Sequence, residues 1–456
     1  MTGSSAVAFT VSESLARWVA GLRFDRLPAD VVRMARRCLL DTVGCALQGS
    51  TTPEAQLLRL VRDDLGGAGP CTVWGMPGGA APQAAALLNG THAHLRELDD
   101  IGGGGHAGAC QVPAAMGAAE LVGADGKAVL LGLVAGHEIA SRLTDAASYD
   151  AMTLHGWHTT GVYGALGAAA AAARVMGLDA VGTAHALGLA GSYVGGTWAF
   201  MADGAMSKRV HPGRSAETGL TAAALARRGI TGPREVLDAA WGGLFETYVP
   251  GQADALAPLK NLGEGFRIMK KGVKPYPVCW GINSAADSML KLHADHALTP
   301  ESIRRVRIVL SEMSRRMIGT KRVDTVLDAQ MSVAYALAWI ILRGRLTLEE
   351  FTPAALQDRA ARALMTRIDL EVDPAAHGER QTVEVETTDG RRLLSRVEIP
   401  RGHWDAPLSD AELRGKFLAL AAGVLGSRGT EAADLVDKIE EAGALQELLA
   451  LLRSRP

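Results

Sequence analysis

The chain has 456 residues, 48% of them hydrophobic, which is ample for a large core divided into two or three domains of ~100 to 200 residues each. Lys and Arg total 47 against 49 Asp and Glu, a formal charge of −2, so the basic excess of a dedicated nucleic-acid binder or membrane-surface protein is absent. Aromatics are 5% while Gly reaches 53 residues, and alanine runs such as Ala168 to Ala173 suit close helix packing better than a β-sandwich.

The first ten residues lack a basic segment followed by an apolar one, and no later stretch supplies about 18 strongly apolar residues in a row. Cys38, Cys45, Cys71, Cys110 and Cys279 are scattered without a CxxC pair, a pattern that points to a reducing compartment and away from structural zinc or an iron–sulfur cluster. A soluble cytoplasmic protein is expected.

Helical periodicity dominates residues 1–266. Leu15, Trp18, Val19 and Leu22 form one stripe, and Val31, Met34, Ala35, Cys38, Leu39 and Thr42 form the next. Glycine breaks at Gly102 to Gly105 and at the Gly195, Gly196 pair predict loops or places of close backbone approach. Over 267–402 the period changes to two: RVRIVL (305–310), IDLEV (368–372) and TVEVET (382–387), with Asp389-Gly390 predicting a hairpin into a run through Leu394. Ala285 to Leu292 and Met331 to Leu342 still read as helices, so this stretch predicts a smaller α/β domain. In 403–456 helical grammar returns: Ser409 and Glu412 have capping-box spacing, and one final helix is predicted through Leu435, Ile439 and Leu448. The expectation is a mainly α protein, a large helical domain with an inserted α/β lid and C-terminal helices packing back on the first part, leaving a ligand cleft at the boundary.

Chemistry concentrates in NGTHAHLRELDDIGGGGHAGACQVPA (89–114), where His92, His94, Glu97, Asp99, Asp100 and His106 surround the glycine loop. His106 stands out, because four glycines precede it and imidazole exchanges protons near neutral pH. His92 and His94 are two apart, about 200° around a helix, which argues against shared metal ligation; no metal is expected. His155 and His158 precede a helix whose free N–H groups suit a carboxylate. Two basic groups follow, SKRVH (207–211) and KPYP (274–277), the second with its lysine aimed by two prolines. Phosphate fingerprints and the G-x-S-x-G elbow are missing, which disfavours nucleotide binding and nucleophilic triads.

Taken together, NGTHAHLRELDD with His106, GWHTTGVYGA, DGAMSKRVHPG, KPYPVCWGIN, DAQMSVAYALA and DAPLSDAELRGKF resemble the MmgE/PrpD family, which includes 2-methylcitrate dehydratases, cis-aconitate decarboxylases and iminodisuccinate epimerases. The resemblance implies a homodimer acting without a cofactor on a small polycarboxylate, with no nucleic-acid or membrane partner. It points to His106 and His158 as acid/base groups, to Lys208 and Lys274 as cations, and to Glu97, Asp99, Asp100, His211, Cys279 and Tyr335 as residues around the substrate. Relatives commonly have Asp where this chain has Glu97, Thr where it has Ile101, and, in dehydratase-like members, Arg and His where it has Trp280 and Asn283. A 2-methylcitrate dehydratase-like hydro-lyase is the leading expectation; a cis-aconitate-type decarboxylase, a dicarboxylate epimerase and a non-catalytic polycarboxylate-binding protein are the alternatives.

Overall fold

Small residues let the helices approach one another almost backbone to backbone. The computed structural model describes residues 9–64, 67–102, 104–376, 378 and 380–453. At its centre is the helix Thr159–Val175, buried along nearly its whole length, with Ala168 to Ala173 removed from solvent. The helix Ser207–Arg227 crosses it so closely that a Cβ on Gly219 would stand 2.4 Å from the Ala169 nitrogen. Helices Ala29–Ser50, Pro82–His94, Ala107–Val122, Gly126–Ala147 and Ala180–Gly191 complete this layer. One hydrophobic core joins them to Leu413, Phe417 and Leu448 of the C-terminal helices. Phe417 meets Gly44, where an added Cβ would lie 2.9 Å from its ring.

A second core gathers Tyr276 to Val385 around a four-stranded sheet, its strands in the order Ile368–Val372, Ile303–Leu310, Thr382–Thr387, Arg392–Arg396. The Asp-Gly turn closes an antiparallel pair as expected, with Val385 opposite Leu393. The first pair is parallel, Val306 opposite Ile368, a crossover that periodicity alone could not indicate. Helices Asn283–His296 and Val333–Arg343 belong to this second core.

The Ser409–Glu412 capping box is formed in both directions and opens the helix Asp410–Leu425. The single final helix is corrected to two, Gly429–Asp437 and Ala444–Arg453. Gly443, at φ 85°, has turned the chain between them, a conformation glycine adopts at low cost. Among the described residues no helix is long and apolar enough to cross a membrane.

Both glycine breaks do steric work. A Cβ on Gly105 would fall 2.4 Å from the Thr160 hydroxyl, and one on Gly161 would fall 2.1 Å from the Gly195 carbonyl oxygen. The second contact seats the loop whose Gly196 carbonyl accepts from the His158 N–H at 2.9 Å. Gly161→Ala is therefore expected to destabilise the fold by about 1 to 3 kcal/mol, read by chemical denaturation, because the added methyl must push this backbone aside.

Candidate functional site

The helix Pro82–His94 ends in a turn that puts Glu97 in the left-handed region at φ 54°, unusual for a residue with a Cβ. This turn buries the Glu97 side chain among cations. Its Oε2 accepts from Lys208 Nζ at 2.6 Å and from Arg209 Nη1 at 2.7 Å, and its Oε1 accepts from Lys274 Nζ at 3.1 Å. Burial alone would raise this carboxyl, but Lys208 and Lys274, with His94 and Arg209, hold it well below the usual carboxylate range. Burial in turn lowers Lys208 against the pull of Glu97.

The hydrogen bonds fix the imidazole tautomers. An ammonium can only donate, so at 2.8 Å from Lys208 Nζ the His94 Nε2 is an acceptor and its proton sits on Nδ1. That proton goes to Asp99 Oδ1 at 3.0 Å. His106 Nδ1 faces Asp99 Oδ2 and the Asp100 carbonyl oxygen, both at 3.1 Å, neither of which can donate while Asp99 is ionised. Its proton is therefore on Nδ1, and Nε2 keeps its lone pair. Asp99, although buried, is held well below its ordinary range by the two imidazoles, and burial outweighs Asp99 in lowering both His106 and His94, the latter to about 3.

Asp100 performs a different task. Both its oxygens accept from the Gly108 N–H at 3.0 Å, capping the helix Ala107–Val122, and Oδ2 pairs with Lys271 at 2.6 Å. His158 stands before the helix Thr159–Val175, its ring centroid 6.3 Å from that of His106. Its Nδ1 meets Nδ1 of half-buried His211 at 2.9 Å, so one of the two must carry the proton between them. Burial, with Lys208 and His211 adding to it, takes His158 well below its ordinary range, and burial takes His211 to about 4.

A cavity of about 620 Å³ opens onto Glu97, His106, His158, Lys208 and Cys279. Lys274, Asp99, Asp100 and His211 stand behind these residues. The fully buried Lys274 also donates to the Glu97 backbone carbonyl at 3.1 Å, so it acts on the cavity through Glu97. Tyr335 is not brought to the site: its phenol donates to the Glu350 carbonyl at 2.6 Å and its ring packs on Trp339 and Phe351 in the second core. Its place among substrate-contacting residues is corrected to a core role. Asn283 is also turned away, its amide donating to the Cys279 and Trp280 carbonyls.

Two sets of donor atoms are close enough to suggest a metal, His94 with Asp99 and His106, and Cys38 with Asp100 and His137. Neither donor set fits an ion as it stands. In the first, both Nδ1 protons already point at Asp99; in the second, the Lys271 ammonium occupies the carboxylate. Sequence spacing compared His92 with His94, whereas folding pairs His94 with His106, ring centroids 4.3 Å apart. Arg209, Gln330 and Lys416 were visible only as parts of the quoted segments, and Lys271 lay outside them. The Lys416 ammonium reaches Asp41 at 2.6 Å and the Leu98 carbonyl at 2.7 Å.

The MmgE/PrpD N-terminal domain matches residues 13–256 and the MmgE/PrpD C-terminal domain residues 276–441. The chain belongs to the MmgE/PrpD family. It is 31% identical to the cis-aconitate decarboxylase-like protein oryM of Aspergillus oryzae, over 97% of each chain. It is 27% identical to the cis-aconitate decarboxylases of Aspergillus terreus and Homo sapiens, over 97% of this chain and 96% and 95% of theirs. The chain is a lyase of this family type.

Fully buried His92 has neither ring nitrogen hydrogen-bonded, and burial lowers it to about 4. A folded-state value below the unfolded one near 6.5 means that the unfolded chain takes up the proton first. Stability therefore falls as pH drops from 6.5 toward 4, by up to about 1.4 kcal/mol per pH unit for each such histidine. His92→Leu should make urea-denaturation stability less steep in that window by about one histidine's share.

Proposed function

We propose that the chain is a cofactor-independent lyase of a small polycarboxylate, and that its reaction is loss of CO₂ from a cis-aconitate-like acid. The observation that carries this reading is the pair of neutral imidazoles on one cavity wall beside Lys208. Lys208 gives two of its three protons to His94 and Glu97, which leaves one for a substrate carboxylate. Lys208, Arg209, Lys274 and Lys271 against Glu97, Asp99 and Asp100 give four positive charges to three negative, one in excess, buried where it attracts an anion.

In this reading the C–CO₂ bond breaks and its electron pair forms a new C=C bond. The former π pair moves to the carbon beside a remaining carboxylate, where Lys208 steadies the charge, and that carbon takes a proton from an imidazole N–H. His158 suits the donor, because His211 can replace its proton across the Nδ1–Nδ1 bond from the solvent side. The second reading, loss of water from a 2-methylcitrate-like acid, is favoured by His106: its Nε2 lone pair supplies a base for the C–H proton while His158 protonates the departing hydroxide. The full-length similarities to cis-aconitate decarboxylases favour the first.

The same proposal includes division at about 266/267 and 402/403, with the second core closing over the cavity as a lid, and a homodimer. Trp241, 96% exposed, is the surface residue on which the dimer is tested. Five buried, unbridged cysteines support a cytoplasmic setting.

Proton NMR in D₂O with cis-aconitate, citrate and 2-methylcitrate tests the chemistry. Decarboxylation gives CO₂ and one deuterium on carbon, dehydration gives an unsaturated tricarboxylate, and exchange without net loss would replace both readings by an epimerase. His106→Ala and His158→Ala should each lower kcat by about 10²- to 10⁴-fold with the fold retained by circular dichroism. Trp241→Asp should halve the mass measured by light scattering; an unchanged dimer would place the interface elsewhere.

A further inference from the structure

The cavity is larger than the proposed chemistry requires. At about 30 Å³ for each water-sized atom, 620 Å³ accommodates on the order of 20 non-hydrogen atoms, whereas a six-carbon unsaturated tricarboxylate has about 12. The two ends of the cavity also differ in character. Glu97, His106 and Lys208 form the reactive end, while Trp280, Trp404, His403, Met313 and Met317 belong to the rest of the lining together with the charged Asp150, Arg380, Glu398 and Asp405. Trp280 stacks on His403 at 6.3 Å between centroids with an interplanar angle of 21°, and His403 lies 3.7 Å from Trp404, so the three rings form one continuous platform.

Among the described lining residues on this side Arg380 is the one Lys or Arg side chain, and the carboxylates of Glu398, Asp150 and Asp405 outnumber it. Arg380 is paired with Glu398 at 3.2 Å, and Asp150 and Asp405 add exposed negative charge near the entrance. A second anionic group placed there would be repelled, while an uncharged hydrocarbon would cover the platform and release water from it.

We infer that the substrate carries an uncharged alkyl or aryl arm beyond its carboxylates, and that Trp280 selects it. The inference rests on the polycarboxylate reading of the reactive end and narrows its substrate class. Trp280 is a specificity-determining residue: it touches the arm and takes no part in proton transfer.

Isothermal titration with tricarballylate and its 1-methyl, 1-butyl and 1-octyl derivatives tests the arm without requiring turnover. Affinity should rise by about threefold to fourfold per added methylene until the platform is covered. Trp280→Phe should keep most of this gain, and Trp280→Arg should abolish it while binding tricarballylate itself at least as well. Equal affinity along the series, an unaltered preference in Trp280→Arg, or tighter binding of a 1-(ω-aminobutyl) derivative would overturn the inference. Turnover of unsubstituted acids with no chain-length preference would overturn the arm and leave the lyase reading standing. Chain-length-dependent binding with no lyase product from any matching unsaturated acid would support the arm and remove that reading. If nothing in the series binds, both fall.

Discussion

The structure depends on one short piece of backbone, the turn from His94 to Leu98 that carries Glu97. Four of its carbonyls are held by side chains from four distant places: His94 by Arg209, Arg96 by Gln330, Glu97 by Lys274 and Leu98 by Lys416. The donors belong to the helix Ser207–Arg227, the segment before Met331, the Lys274 loop and the C-terminal helix Asp410–Leu425. The left-handed conformation at Glu97 costs of order 1 kcal/mol or more, and it persists because each of these elements fixes a neighbouring carbonyl. In return the turn delivers a carboxylate into the middle of three cations. Misplacing any one donor disturbs the backbone that aims Glu97 and, two residues on, Asp99.

Such a cluster is a poor way to gain stability. Desolvating several charges is costly, and well-packed apolar residues of the same size commonly stabilise a core as well or better. The charges are useful because they are held in place before any ligand arrives. Lys208 stays oriented by Glu97 and His94, and Asp99 dictates the tautomers of two imidazoles at once. A cation and an unprotonated nitrogen fixed in this way need little reorganisation when charge develops on a bound acid, which is the condition under which electrostatics lowers a barrier most.

Local sequence was a good guide where local forces decide the outcome. The capping box at Ser409, the Asp-Gly hairpin and the alternation of Thr382 to Thr387 each depend on neighbours within a few residues, and each formed as read. The parallel pairing of Val306 with Ile368 and the reach of Lys416 to Leu98 depend on contacts between segments 62 and 318 positions apart, and no window in the sequence contains them. Tyr335 illustrates a second limit. Its motif placed it near the substrate residues, but helical period reports only that a face is buried, and the phenol found the Glu350 carbonyl in the second core. The acidic loop was legible as a cluster and illegible as a network: Asp99 and Asp100 are adjacent in sequence, yet one orients imidazoles and the other caps a helix and neutralises Lys271.

That difference between neighbours also explains how one cavity can keep a fixed reactive end and a changeable entrance. The groups around Glu97 are buried and share partners, so a change at one is transmitted to the others through unpaired charge. Trp280 and Trp404 are half-buried, and the neighbour of Trp280, Cys279, donates its N–H to the Gln330 carbonyl at 2.9 Å. A substitution on the platform therefore leaves the tautomers of His94 and His106 untouched. In the proposed reading, proton-transfer chemistry can be retained while the shape and polarity of the accepted molecule change, because the carbonyls of the turn at Glu97 are anchored by Arg209, Gln330, Lys274 and Lys416, none of them on the platform.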